Sequence, residues 1–382
     1  MKRILYICSE SSPGMTPFAA NIINLVSDSQ ELEVYAILIS RIGIDYRDYI
    51  DIAPNNRIEF WDRPQSLYGK FIEKFYNYKL FQRIKTLVNE HHIDYIHFLT
   101  GDYTLYPFFA RLRKMSAIVY TVHDLIPHEF KYKILQKDGW YRKYITWGEQ
   151  KNIKNANILV TCSKNQFKML RKIYPSKLIY FHQFPPLITQ GILSGTDHCP
   201  ELENIKKYIL FFGVIQKYKG VEILYNAFLS KNIFHSNYSL VIAGSGDWYF
   251  KRQNEETNVV RIDRYIKDSE IKSLFCNASC VVYPYLSATQ SGVLTLAYKF
   301  GIPVIASDIP YFSDNAEDNK TVIFFKNKGE NDLAAKMEKL LFNTNVEKMK
   351  RYQKTYYTQR YSIESIRMKI TAIYQPIFTN TL

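Results

Sequence analysis

Two α/β domains, each built round a buried parallel sheet, are what this sequence predicts. Three observations carry that expectation. The chain has 382 residues, enough for two domains of ordinary size that each bury a core. Its apolar runs are short and β-branched, as at Val281-Val282 and Val304-Ile305-Ala306, which is how strands covered on both faces read. These runs alternate with helical stretches through loops of glycine and polar residues, as around Ser291-Gly292.

The composition is globular, with 47% hydrophobic and 23% charged residues and neither a repeat nor a low-complexity run. The five cysteines (Cys8, Cys162, Cys199, Cys276, Cys280) form no Cys-x-x-Cys pair. Cys8, Cys162 and Cys280 sit in strand-like contexts, so buried thiols in a reducing cytosol are expected, not disulfides or zinc. The apolar run at 4–8 is too short for a signal peptide. Asn277, Pro284, Gln290 and Gly292 make the uncharged run 273–298 a poor membrane span. A cytoplasmic protein, soluble or peripheral on the membrane, is the expectation. The net charge of +14 suits an anionic partner. No zinc-finger, RNA-binding or helix-turn-helix pattern is present, so nucleic acid is not the expected partner. There is no Asp-x-Asp motif, and neither a catalytic metal nor a cofactor is expected.

Taken in order, residues 4–7 read as a strand, 9–14 as a polar loop, and 17–26 as a helix with Thr16 as N-cap and Pro17 in its first turn. Residues 34–39 are the next strand. Between 61 and 92, Phe71, Phe75, Tyr78, Phe81 and Ile84 fall at helical spacing, with Lys70, Lys74, Lys79, Arg83 and Lys85 interleaved. The plain reading is a core-facing amphipathic helix with a solvated basic side; the sharper one is an aromatic, basic surface lying on anionic lipid. Strands follow at 93–99, ending at Thr100-Gly101-Asp102, and at 117–122, ending at His123-Asp124. Residues 158–162 form the last clear strand of the first domain, with Ser163 capping a helix.

A hinge is expected at 181–186 and an interdomain loop at 189–203. The domains then run 1–188 and 205–360, with a terminal helix at 361–382 that crosses back to the first. Strands at 208–212, 240–243 and 259–262 open the second domain. Gly244-Ser245-Gly246-Asp247 lacks the third glycine of a dinucleotide fingerprint and reads as a turn. A helix starts near Asp268, and the strand, loop, helix and strand of 280–306 follow. A short strand at 321–325 and helices at 331–342 and beyond 349 complete the chain.

Two places carry candidate chemistry. Ser291-Gly292-Val293 stands where a loop becomes a helix, and free amides at a helix N-terminus accept phosphate. The plain alternative is an ordinary turn glycine. His123 follows a strand at its carboxyl end, where open α/β sheets bind ligands, although a lone histidine is more often structural.

Gly301-Ile302-Pro303-Val304-Ile305-Ala306-Ser307 and Gly213-Val214-Ile215-Gln216-Lys217-Tyr218-Lys219-Gly220 resemble the donor-binding segments of the retaining glycosyltransferases of family 4, the "group 1" transferases of GT-B architecture. The resemblance implies two Rossmann-like domains facing across a cleft, with a nucleotide-sugar donor held by the second. It further implies that Lys219 meets the donor diphosphate together with Thr289, Gln290, Ser291, Gly292 and Val293, with Gly14 lining the cleft. Arg264 and Tyr265 would lie where relatives pack the nucleobase. His123 would face the transferred sugar, with Asp102 and Asp124 on the acceptor side and residues 129–154 shaping an acceptor groove. The acceptor would be a glycan or a lipid-linked saccharide of a bacterial surface polysaccharide. The chain departs from the usual pattern at Thr289 and Ala297, which replace a Glu-x7-Glu pair, and at Val214, which replaces an arginine that Lys217 would have to offset. Ala288-Thr289-Gln290-Ser291-Gly292 is similar to a branch of the family without that pair. A catalytically silent GT-B-shaped scaffold is the alternative these departures imply.

Overall fold

A computed structural model describes all residues except 13, 42, 52–56, 65–76, 126–138, 254–257, 344 and 376–382. The chain divides into two compact units. One comprises Met1–Pro185 with Ile363–Leu382, and the other Pro186–Ser362.

The first unit contains a seven-stranded parallel sheet: β1 (Lys2–Cys8), β2 (Leu32–Ser40), β3 (Ile58–Asp62), β4 (Tyr95–Phe98), β5 (Ala117–Thr121), β6 (Ile158–Thr161) and β7 (Leu178–Phe181). They lie in the order β3-β2-β1-β4-β5-β6-β7. β1 pairs with β2 on one side and β4 on the other, which leaves Ile4 to Cys8 without exposed surface. Helix Met15–Ser27 buries Phe18, Ala19, Ile22, Ile23 and Val26. It starts ahead of the expected Thr16 cap: Gly14 is the N-cap residue, and the Thr16 hydroxyl instead accepts the Ser12 N–H. Ser163 caps its helix as expected, accepting from the Gln166 N–H at 3.3 Å.

Helix Tyr78–His91 turns Leu80, Phe81, Ile84, Leu87 and Val88 into the core, and Phe81 stacks on Phe108 at 4.3 Å. Its Lys79 lies over Trp61, and Arg83 pairs with Glu59. The core-facing reading therefore holds for Phe81 and Ile84 but not for Tyr78, which is 48% exposed, while Phe71, Phe75, Lys70 and Lys74 lie outside the described residues. At the other end of the chain, helix Ile363–Thr371 returns to the first unit. Arg367 donates to the Leu25 carbonyl and Lys369 to Gln183. The Tyr374 hydroxyl donates to Tyr6 and receives His97 Nδ1–H at 2.6 Å, so Nε2 of that imidazole accepts from Thr121. Burial holds His97 well below the usual histidine range.

The second unit carries a six-stranded parallel sheet: β8 (Tyr208–Phe212), β9 (Ser239–Ala243), β10 (Val259–Ile262), β11 (Ala278–Tyr283), β12 (Val304–Ser307) and β13 (Ile323–Phe325), in the order β10-β9-β8-β11-β12-β13. The stretch 189–203, expected to be a loop between domains, is folded onto this unit. It contains helix Gln190–Ser194, Thr189 bonds Asp268 at 2.5 Å, and Asp197 bonds Ser269 through backbone and side chain. Gly195 packs so closely on Ser269 that a Cβ would overlap its backbone. Among the described residues, no helix is long and apolar enough to cross a membrane, and no three His, Cys, Asp or Glu side chains could hold a metal ion.

Candidate active site

Strand order reverses once in each sheet, between β8 and β11 in the second unit and between β1 and β4 in the first. The carboxyl ends of strands at such reversals are where open parallel sheets bind ligands.

In the second unit, Lys219 follows β8 and reaches toward the end of β11. Its ammonium donates to the Tyr285 hydroxyl at 3.1 Å and lies 4.8 Å from that ring's centre. No carboxylate pairs with it among the described residues, and burial holds it below the usual lysine range. An amine in this state, largely desolvated beside a neutral phenol, gains most from an incoming anion. Two glycines make the placement possible. Gly213 has φ +136°, and a Cβ there would stand 3.0 Å from Lys219 Nζ. Gly220 has φ +65°, and a Cβ there would overlap the Pro284 carbonyl, so only glycine lets this turn close on the end of β11.

The facing loop is lashed down by tyrosines. Tyr311 donates to the Ser291 carbonyl, Tyr283 donates to the Val293 carbonyl at 3.1 Å, and Tyr285 is fully buried. Gly292 caps helix Val293–Phe300. Its lack of a side chain has a specific cause: a Cβ would land on Leu187. Thr289, Gln290 and Ser291 are all half-buried in this loop, whereas Ala297 has no exposed surface and faces the core. Ala297 thus presents nothing to a ligand here. Val214 is 37% exposed and uncharged, and Lys217 is exposed.

Arg264 stands apart from this group. Its guanidinium holds Glu201 (2.8 and 3.0 Å) and Glu270 (2.7 and 2.7 Å) simultaneously. These bonds raise its already high pKa and pull both carboxyls below their usual range. Arg264 thereby braces the 189–203 segment against helix Asp268–Cys276. Neighbouring Tyr265 is 55% exposed.

In the first unit, His123 follows β5. Its Nε2–H donates to the Leu99 carbonyl at 2.7 Å, its ring meets Phe18 edge-on at 5.0 Å, and Gln166 holds its own carbonyl. The imidazole is thus fixed in one tautomer and orientation. Asp124 beside it is exposed. Asp102 is buried and fully engaged: one oxygen accepts from the Thr104 N–H, the Thr104 hydroxyl and the Leu105 N–H, and the other from the Ser9 hydroxyl. Gly14 is exposed, and a Cβ there would meet open space.

One group at this end is absent from the sequence-based expectations. Glu149, on helix Gly139–Asn155, keeps some exposed surface while protein encloses its carboxyl. Burial first, then the charges of Glu10, Asp102 and Asp124, push that carboxyl up to about 7. In the sequence it reads as one more solvated helix charge; Gly148 before it, a glycine inside a helix, was the only hint of a close approach.

A two-unit α/β protein with a strand-order reversal in each sheet, and at the second reversal a lysine without a carboxylate partner among the described residues, is the class these features define. Residues 200–359, which lie in the second unit, match the family model described as "Glycosyl transferases group 1". It is similar to an uncharacterized 41.2 kDa protein in the cps region of Klebsiella pneumoniae, at 25% identity over 62% of this chain and 66% of the relative. It is also similar to the GDP-mannose:glycolipid 4-beta-D-mannosyltransferase of Xanthomonas campestris, at 26% identity over 53% of this chain and 52% of the relative. The match thus spans just under two thirds and about half of these relatives' lengths. Among solved structures, Anabaena Alr3699/HepE in complex with UDP and glucose superposes with a TM-score of 0.67 at 14% identity, covering 97% of this chain and 99% of that one. The fold is that of the GT-B glycosyltransferases.

Proposed function

We propose that the chain transfers a sugar from a nucleotide-sugar donor to a glycan or lipid-linked saccharide, in the assembly of a bacterial surface polysaccharide. The observation that carries this reading is Lys219, a half-buried cation without a carboxylate partner among the described residues, at the strand-order reversal of the family-matched unit. When the bond between the sugar's anomeric carbon and the diphosphate breaks, negative charge collects on the leaving phosphate. Lys219 and the amides of Ser291, Gly292 and Val293 supply fixed positive potential for it, with no metal required. In the retaining course that the resemblance implies, the acceptor hydroxyl bonds to the anomeric carbon on the face the phosphate leaves. Its proton passes to a phosphate oxygen, so no protein nucleophile is needed. The fixed His123 ring would orient the donor sugar.

The relatives support this reading through their names: one is a mannosyltransferase acting on a glycolipid, another lies in a cps region, and the Anabaena structure holds UDP and glucose. The test is a thermal-shift screen of sugar nucleotides, followed by transfer assays on wild type and Lys219→Ala with the best donor. The anomer of the product, read by NMR, decides retention; the β-linked product in the Xanthomonas relative's name makes this a direct question. Wild type that binds no nucleotide would favour the silent scaffold. A cytoplasmic, peripheral location follows if the basic side of 61–92 meets anionic lipid, and failure to pellet with anionic liposomes at low salt would remove it.

A further inference from the structure

The first unit's strand-order reversal holds an arrangement that the donor chemistry does not use. The Glu149 carboxyl lies against the backbone of Gly101, just beyond β4; a Cβ on Gly101 would fall 2.6 Å from its Oε1. No described residue donates a hydrogen bond or an ion pair to it. Asp102, the neighbouring buried carboxylate, already accepts from four donors, so of these two enclosed acids Glu149 is the one with capacity for a ligand. Glu10 follows β1 and Asp124 follows β5, and both add negative potential at the same place.

Aromatic rings cluster along the helix that carries it. Helix Gly139–Asn155 approaches Tyr103 so closely at Gly148 that a Cβ would stand 3.0 Å from that tyrosine's own Cβ. Tyr103 meets Tyr144 edge-on at 6.0 Å, and Tyr106 meets Trp147 at 4.7 Å, with Trp147 43% exposed. Ring faces accept the C–H side of a sugar while a carboxylate accepts its hydroxyls, and the two together are the chemistry of a saccharide site.

From this we infer that Glu149 makes the first unit select its acceptor saccharide by charge, taking a neutral or amine-bearing ring and turning away a carboxylate-bearing one. The inference rests on the transferase reading for the word acceptor, but its evidence is separate from the donor site. An ionised carboxylate among three others in a partly enclosed place attracts an ammonium and repels an anion, and like charges brought together in such a site cost about tenfold or more in affinity.

The test is saturation-transfer NMR on the full chain at pH 8, where Glu149 is ionised. The probes are the p-nitrophenyl glycosides of glucose, glucosamine and glucuronic acid, and the proteins are wild type, Glu149→Gln and Glu149→Asp. Wild type should bind the first two about tenfold more tightly than the glucuronide. Glu149→Gln should erase the preference, and Glu149→Asp, which keeps the charge, should retain its order. Three outcomes overturn the proposal: an unchanged order in Glu149→Gln, equal binding of all three glycosides by wild type, or no binding of any. UDP-glucose and GDP-mannose titrated into the same samples report on the donor site independently. A protein with the charge preference but no nucleotide binding would sink the transferase reading and leave this one standing.

Discussion

The two sheets reverse their strand order in the same way, yet the ends at which they reverse carry opposite charge. At β8 and β11 the group on offer is a half-buried lysine without a carboxylate partner among the described residues. At β1 and β4 it is a carboxyl without a described donor, among three other acids. Strand order provides the place where loops diverge, and the loops decide what that place attracts. In a chain of net charge +14 the acidic end cannot be inherited from overall composition. It is built locally, by residues 10, 102, 124 and 149.

Breaking the basic end has the largest expected effect. Lys219→Ala should lower transfer roughly a hundredfold or more, since charge-assisted contacts to developing phosphate charge are worth a few kcal/mol. The melting temperature should hold or rise, because a desolvated amine is removed; equal transfer rates would deny Lys219 its role. A pair of glycines sharpens the contrast next. Gly292→Ala drives a methyl into Leu187 and should cost about 1–3 kcal/mol in urea unfolding. Gly14→Ala, facing open space at φ −97°, should stay within about 0.5 kcal/mol of wild type.

The acidic end leaves a pH signature. The Glu149 carboxyl titrates at about 7 in the folded chain against 4.5 for an unperturbed glutamate. Between those values the folded state holds more proton than the unfolded, so this group's contribution to stability is lost as pH rises through that window and stays level above it. Glu149→Gln lacks the loss. Its melting temperature should match wild type near pH 4.5 and exceed it by a few degrees above pH 7; a gap that is the same at every pH would show that Glu149 is not perturbed. The smallest expected effect is that of EDTA, which should leave transfer unchanged.

The fold was legible where strands lie between two neighbours. Val281-Val282 and Val304-Ile305-Ala306 are covered on both faces, and an unbroken apolar run can mean little else. The outermost strands β3 and β7 were not legible: Ile58–Asp62 mixes polar with apolar residues, and Leu178–Phe181 is four residues long and only half-covered. In the candidate site, Lys219 was singled out by the resemblance of the segment that carries it, and the left-handed Gly220 after it shows why that segment needs a glycine. Arg264 looked equally available. Its charge is consumed by Glu201 and Glu270, and the first of these comes from a segment whose packing no local pattern reveals. Glu149 is the converse case: a helix glutamate is ordinary until the loops after three strands bring carboxylates beside it.

The bond between Tyr374 and Tyr6 spans 368 positions and has a consequence for synthesis. A ribosome delivers the whole first sheet, through β7, long before the segment that completes its polar interior. Until residues 363–374 emerge, the Tyr6 hydroxyl and His97 Nδ1, both sealed from water in the finished unit, lack their partner. Buried polar groups left unpaired are costly. The nascent first unit must therefore wait in an unfinished state while the entire second unit is made, and the order in which the units begin to appear is not the order in which they are completed.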